Sequence, residues 1–304
     1  MFRVLIILIV FHLQSAAYGI DFNTYPNLKT VENYLAKTAE DYPEITKVAS
    51  IGNSTLGQKI EYITISKDVN TPNKEAIFIS ASHHGNEKPS TLAALRLVDY
   101  LTKNSEDGNI AALLDRFTIH VLPIVNPDGY LESNRLNALH IDINRDFSYP
   151  HRSDQDSFKS IEAALVKNFV DATNLKGAIA IHSGMTGVLW PWAYSEKPTK
   201  ELETFFNISQ NAAKSMGLNL FKQSNLDYPT DGELIDYLYM TQKTLAVTFE
   251  ISDTHMPHAN KLNPILNRSL VGMLTYMFNI LDYSQNMPIS NNSNMSNIFT
   301  INAH

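Results

Sequence analysis

His84 and Glu87 stand three residues apart on the segment that follows the apolar run Glu75–Ala81. His182 follows a second apolar run, Gly177–Ile181, and Glu250 lies near the end of a third, Leu245–Ile251. Two imidazoles and one carboxylate supply three protein ligands and leave a fourth tetrahedral position for water. That is the ligand count of a catalytic zinc, since structural sites are normally closed. Zinc held this way polarises a carbonyl and lowers the pKa of its water to about 7. A carboxylate that does not bind the metal then takes the proton of the attacking water. Glu250 is the candidate, because a charged group in an apolar strand needs a partner or a task. Taken alone, an H-x-x-E pair is an ordinary loop feature and Glu250 an ordinary core carboxylate. Their joint placement at strand ends carries the reading.

Such ligands need a scaffold whose strand ends converge. Helical spacing of apolar residues predicts helices over 28–42, 90–101, 157–170, 200–216 and 262–281. Strands are predicted over 45–50, 58–66, 75–81, 117–125, 177–181 and 245–251. Strands alternating with helices argue for an α/β domain: one mixed, mostly parallel sheet flanked by helices. In such a sheet, ligands bind at the carboxyl ends of the strands. His84, Glu87, His182, Glu250 and the turn Asn126-Pro127-Asp128-Gly129-Tyr130 all fall there.

The chain has 304 residues, 44% hydrophobic and 18% charged, with a net charge of −7 and no cysteine. The charge argues against nucleic acid as a partner, which needs clustered Lys and Arg. The lack of cysteine excludes disulfides, thiolate-bound metals and a thiol nucleophile. Arg3, the apolar run Val4–Leu13 and the small residues Ser15-Ala16-Ala17-Tyr18-Gly19 predict a signal peptide over 1–19, and hence a secreted or periplasmic protein. Ten residues of helix span about 15 Å, half a bilayer core, so no membrane association is expected after cleavage. A single domain is expected over 20–283. The Asn- and Ser-rich residues 284–304 are expected to form a flexible tail.

These motifs resemble those of the zinc carboxypeptidases of the M14 family, which are carboxypeptidase A-like. The resemblance runs from about Tyr25 to Leu281. His84-Gly85-Asn86-Glu87 resembles the first zinc motif, and residues 126–130 resemble the NPDG turn. Asp142-Ile143-Asn144-Arg145-Asp146-Phe147, Ala180-Ile181-His182-Ser183 and Thr248-Phe249-Glu250-Ile251-Ser252-Asp253-Thr254 follow in the family's order. The resemblance implies one Zn²⁺ on His84, Glu87 and His182, with Glu250 as general base and proton shuttle. It further implies that Arg135 stabilises the oxyanion, that Asn144 and Arg145 hold the substrate's terminal carboxylate, and that Tyr228 closes over substrate. A guanidinium fork suits a planar carboxylate. The fold it implies is phosphorylase/hydrolase-like, with at least two nonprolyl cis peptides among Ser183-Gly184, Trp192-Ala193 or its neighbourhood, and Ser252-Asp253. His83 is expected to point away from the metal, and His120 to be a satisfied strand histidine.

Alignment on Glu250 puts Ile235, with Leu189 and Ala193, at the pocket for the terminal side chain, implying preference for apolar or aromatic residues. Glu233, two residues away, is placed to admit a basic one. The implied activity is hydrolysis of C-terminal residues from peptides with a free carboxylate, by a monomer without a large prosegment or transthyretin-like domain. Asn86 departs from the Arg of pancreatic-type enzymes, and His-Gly-Asn-Glu also occurs in the aspartoacylase and succinylglutamate desuccinylase branch. The rival readings are therefore an amidohydrolase of N-acyl amino acids or peptidoglycan stem peptides, and a non-catalytic peptide-binding protein.

Overall fold

The computed structural model describes residues 19–71 and 73–285. The expected signal peptide up to residue 18, and the expected tail beyond 285, lie outside the described residues. Helix α1 (Leu28–Asp41) is capped by Asn27, whose side chain accepts the Thr30 N–H at 2.8 Å. A hairpin, β1 (Thr46–Asn53) and β2 (Lys59–Ile65), leads to β3 (Ala76–Ala81), α2 (Lys88–Lys103), α3 (Gly108–Arg116), β4 (Thr118–Leu122) and α4 (Pro127–Glu132). Then come α5 (Ile161–Asp171), β5 (Leu175–His182), β6 (Met185–Trp190), α6 (Leu202–Ser215) and β7 (Phe221–Gln223). Helix α7 (Leu234–Gln242), β8 (Leu245–Ser252) and the 23-residue α8 (Leu262–Ser284) complete the fold.

The eight strands form one sheet in the order β1-β2-β4-β3-β5-β8-β6-β7. The central neighbours β4, β3, β5 and β8 are parallel, as are β6 and β7; β1/β2, β2/β4 and β6/β8 are antiparallel. The strand period of two sorts the side chains between faces. Ile77, Ile79, Ile179, Ile181, Val247 and Phe249 enter one core with apolar residues of α1, α2, α3, α6 and α8. Ala76, Phe78, Ala178, Ala180 and Ala246 face the opposite way, with residues of α5 and α7. Each fully buried Val, Leu, Ile or Phe is worth about 1.5–3 kcal/mol of apolar transfer.

Two features fix how the strand ends meet. The Tyr276 hydroxyl of α8 accepts the Ala178 N–H of β5 at 2.8 Å and donates to the Leu245 carbonyl of β8. Gly177 makes space for it, since a Cβ there would lie 2.7 Å from that hydroxyl. At the other end of the strands, the loop after β3 crosses α4 so closely that a Cβ on Gly85 would lie 2.0 Å from the Gly129 carbonyl carbon. The two motifs therefore touch through glycine backbone.

Several elements differ from expectation. The strand expected over 117–125 stops at Leu122, where Pro123 lacks the next N–H. The helix expected from 157 starts at Ile161, because Ser160 caps it by accepting the Ala163 N–H. Helix α8 runs through Ser284, one residue into the expected tail. Helices α3, α4 and α7 and strands β6 and β7 were not anticipated. Among the described residues, one nonprolyl cis peptide is present, Pro191-Trp192, in the neighbourhood expected; Ser183-Gly184 and Ser252-Asp253 are trans.

Substituting Gly85→Ala forces this backbone crossing apart. The expected cost is at least about 2 kcal/mol of unfolding free energy, the scale of an overpacked core. Urea denaturation compared with wild type measures it, and an unchanged midpoint would contradict the crossing.

Candidate active site

Strand β3 ends at Ala81, and Ser82 turns the chain with a positive φ of 48°. The turn is tied to the start of α2: the Ser82 N–H donates to Ser90 Oγ at 3.0 Å, and the Ser82 and Thr91 hydroxyls lie 2.8 Å apart. This presents His84 and Glu87 toward β5. Strands β5 and β8 pair with His182 directly beside Glu250, so adjacent strand ends deliver a ligand and a second carboxylate side by side. Asn126, the first residue of the NPDG turn, is buried, and its amide donates to the carbonyls of both His83 and Arg135 at 3.3 Å. It thereby stitches the loop bearing the ligands to the loop bearing Arg135.

The three expected ligands come together. One donor atom from each of His84, Glu87 and His182 lies within 4.8 Å of the others, and all three residues are buried. His84 Nδ1 is 2.7 Å from Glu87 Oε1, and His182 Nδ1 is 2.9 Å from Glu87 Oε2. His84 Nε2 sits 3.0 Å from Asp142 Oδ1. With the Nε2–H donating to Asp142 Oδ1, the His84 Nδ1 lone pair faces the Glu87 carboxylate, with Arg135 Nη1 3.3 Å away. Two acceptors that close require a proton or a metal cation between them. Buried His182 Nε2 has no hydrogen-bond partner. The set fits zinc: two nitrogens and a carboxylate oxygen converge on one point.

The charges follow from this geometry. Burial pushes the Glu87 carboxyl up, but the His182 and His84 imidazoles outweigh it and hold it far below the usual carboxylate range. Burial also opposes charge on His84, yet Glu87 and Asp142 raise its pKa above the ordinary imidazole value. Asp142 is likewise held low against burial by its hydrogen bond to His84, with Arg135 and Arg145 adding to the effect. Glu250 goes the other way. Burial, then the Glu87 and Glu233 carboxylates, push it well above the usual range, and its Oε2 is buried without a partner.

A cavity of about 190 Å³ joins these groups. Its walls carry Arg135, Asn144, Arg145, Tyr228 and Glu250 beside the three ligand candidates, so eight of the nine sequence-derived site residues share one cavity. The Arg135 Nε–H donates to Asp142 Oδ2 at 2.9 Å. Arg145 donates to the Asn144 carbonyl at 2.7 Å and lies 3.4 Å from Glu233. Asn144 Oδ1 accepts the Leu234 N–H, joining this segment to the start of α7. Tyr228 is 56% exposed at the mouth. Ile235 does not reach the cavity: it is 1% exposed and packed with α5 and the sheet. Ala193 is also fully buried and absent from the wall, whereas Leu189, Met185 and Glu233 are on it.

Sequence reasoning gave no separate role to Asp142, Asn126 or His255. Asp142 begins the D-x-N-R segment, which was its signal; His255 lines the cavity from a loop without one. His83 turns away as expected, 2.9 Å from the Ser80 hydroxyl. His120 lies 3.0 Å from Thr64 Oγ1, with its pKa lowered to about 4 by burial.

A model of the zinc carboxypeptidases, Peptidase M14, matches residues 31–271. The chain belongs to this family. Mouse carboxypeptidase M is 25% identical over 300 residues, covering 85% of this chain and 66% of the relative. Carboxypeptidase SOL1 of Arabidopsis thaliana is 25% identical over 284 residues, covering 84% and 58%. The chain thus spans less than two thirds of either relative's length. Two solved structures share the zinc carboxypeptidase fold. Carboxypeptidase A from Helicoverpa armigera superposes with a TM-score of 0.79 at 17% identity, covering 88% of this chain and 76% of that one. Bovine thrombin-activatable fibrinolysis inhibitor, in complex with tick carboxypeptidase inhibitor, gives 0.75 at 20% identity, covering 86% and 99%.

The purified chain is expected to bind one equivalent of zinc, and His182→Ala to weaken binding by at least about 100-fold. Protons compete for the imidazoles. Because the His84 pKa is raised, affinity falls with decreasing pH from a higher pH than an ordinary imidazole would set. Competition with a chromogenic chelator at pH 8, 7 and 6 checks both; pH-independent affinity would contradict the assignment.

Proposed function

We propose that this chain is an exported zinc-dependent carboxypeptidase that removes the terminal residue from peptides with a free C-terminal carboxylate. One observation carries the reading: Asn144 and Arg145 line the same cavity as the three-ligand cluster and Glu250. A guanidinium at the far wall suits a carboxylate, and a fixed carboxylate sets which peptide bond meets Glu250.

The Arg145 guanidinium binds the terminal carboxylate, helped by Asn144. Tyr228, at the mouth, closes over the bound end. Zinc, when bound by His84, Glu87 and His182, supplies Lewis acidity toward the scissile carbonyl and makes water more acidic. Glu250 takes the proton of the attacking water at its unpartnered Oε2 and passes it to the leaving amine. With a cation held by His84, Glu87 and His182, the raised pKa of Glu250 would fall, leaving its carboxylate able to accept that proton. Arg135, braced by Asp142, donates to the carbonyl oxygen as that oxygen becomes anionic.

The apolar preference expected from Ile235 loses that residue's support, because α7 turns Ile235 into the core. Leu189 and Met185 still offer an apolar wall, and Glu233 adds a carboxylate. A substrate carboxylate that takes Arg145 releases Glu233 from its 3.4 Å pairing. The wall therefore suits a terminal side chain with an apolar stem and a cationic tip. Export is supported by Arg3 and the apolar run Val4–Leu13. Among the described residues no helix is long and apolar enough to cross a membrane. A monomer is proposed, with the domain over 20–283 as the catalytic unit.

Glu250→Gln is expected to keep its zinc and lose more than about 100-fold in kcat, the scale of general-base removal. Equal rates in the mutant and wild type would remove Glu250 from the mechanism. Matched peptides ending in Phe, Leu, Lys, Glu and a C-terminal amide test the substrate. Release is expected for all but the amide, slowest for Glu, and abolished by a chelator. Glu233→Gln should lower kcat/KM about 10-fold for Lys while sparing Leu. If the zinc-loaded chain releases no terminal residue, the acyl-amino-acid, stem-peptide or non-catalytic readings replace this one.

A further inference from the structure

Glu162 has no place in the mechanism above, yet it is 0% exposed in the first turn of α5. A buried carboxylate is costly unless its oxygens are satisfied. Oε1 accepts the Thr55 N–H at 3.2 Å and lies 3.4 Å from the Thr55 hydroxyl; Oε2 accepts the Asn137 amide at 2.8 Å. Asn137 is itself buried, and it is the hub of a small loop. Its Oδ1 accepts the N–H groups of Leu139 and Ile141, at 3.0 and 2.9 Å. Its own N–H donates to the Ile141 carbonyl at 3.0 Å.

The ends of that loop are Arg135 and Asp142. Arg135 stands two residues before Asn137, and Asp142 follows Ile141 directly. The two ends meet where the Arg135 Nε–H reaches Asp142 Oδ2 at 2.9 Å, and Asp142 also holds His84 Nε2 and the Asn144 N–H. The Arg135 side chain is 37% exposed and is held by polar contacts, to Asp142 at 2.9 Å and, more loosely, to His84 Nδ1 at 3.3 Å and Glu87 Oε1 at 3.7 Å. Its position depends on how the loop is closed, and the closure depends on which way the Asn137 amide is turned. Glu162 determines that. Only with Nδ2 toward Glu162 does Oδ1 face Leu139 and Ile141.

We propose that Glu162, through Asn137, is a positioning residue that sets Asp142 and thereby aims Arg135 at the reacting carbonyl. This rests on the carboxypeptidase reading. Removing one oxyanion donor costs about 100- to 1,000-fold, and a misplacement of about 1 Å costs up to about 100-fold. Misorienting Arg135 should therefore cost about 10- to 100-fold in kcat. KM should shift less than about 3-fold, because Asn144 and Arg145, though tied to Asp142 through their backbone, are also anchored at the start of α7, to the Leu234 N–H and to Glu233.

The test is a reversal of the hydrogen bond in the zinc-loaded full chain. Glu162→Gln leaves one acceptor where two are needed, so its NH₂ group opposes either the Asn137 amide or the Thr55 N–H, and Asn137→Asp sets two carboxylates face to face. The double variant restores one N–H···O bond in the opposite direction and keeps an acceptor for Leu139 and Ile141. Each single variant is expected to lose kcat as stated and to exchange the Leu139 and Ile141 amide hydrogens faster. The double variant should return to within about 3-fold of wild type in kcat and regain exchange protection. Single variants with a lowered melting temperature but wild-type kcat and exchange would make Glu162 merely structural and overturn the proposal. So would a double variant no better than the singles. If a single variant fails to fold, the double variant carries the test on its own: folded and active supports the proposal, unfolded or slow overturns it. If wild type itself releases no terminal residue, the carboxypeptidase reading falls. The exchange measurement then decides whether Glu162 orders the loop.

Discussion

A carboxylate between two imidazoles is the constraint from which the rest of the site follows. Glu87 presents one oxygen to His84 Nδ1 and the other to His182 Nδ1. Such a cluster, buried under the sheet edge, is stable only with positive charge inside it, supplied by protons or by a metal ion. The surroundings are arranged to favour the metal. Asp142 engages the far nitrogen of His84 and so leaves the near one as a ligand. Glu250, beside His182, is left without a hydrogen-bond partner on one oxygen and has Glu87 as a like-charged neighbour. The same negative field that strains Glu250 attracts the cation that relieves it.

The sheet makes this arrangement possible by sorting side chains by size. On the face where α5 and α7 pack, β5 and β8 carry Ala178, Ala180 and Ala246 before they reach His182 and Glu250. These small residues are buried against α5 and α7, while the opposite face is filled with Ile, Val and Phe against α8. At the strand ends, glycine backbone replaces side chains: Gly85 and Gly129 let the ligand loop and the NPDG turn touch. Asn126 then binds both His83 and Arg135 by their carbonyls. His84, Glu87 and Arg135 thus sit on loops tied together through Asn126.

The central strands, the long helices and the chemistry at the strand ends were legible in the sequence, because β3, β5 and β8 are short apolar runs that stop at His or Glu. Elements without such a pattern were not. Helix α7 (LIDYLYMTQ) is buried nearly all round, so it has no amphipathic period to read. Strand β6 follows β5 after only Ser183 and Gly184, so the two look like one segment. Ile235 shows the cost: spacing from Glu250 fixes its position along the chain, but the phase of α7 decides which way it faces. The helix turns Ile235 inward, while Glu233, at its N-terminus, reaches the wall. Asp142 stood in the legible D-x-N-R segment, but its tie to His84, 58 positions away, left no trace there; Glu162 had no local signal, and its contact with Thr55 spans 107 positions.

The Tyr276 hydroxyl has a consequence at the opposite end of the strands. It bridges β5 and β8 at Ala178 and Leu245, four and five residues before His182 and Glu250. Strands rise about 3.3 Å per residue, so the bridge lies roughly 13 Å from the chemistry. A slip of one residue between these strands would turn Glu250 to the other face of the sheet. The alignment of His182 with Glu250 is therefore written at the strand beginnings, by a phenol on the 23-residue helix α8. Drift in the active loops can alter how substrate is grasped, but the pairing of His182 with Glu250 is inherited from a part of the molecule that substrate never meets.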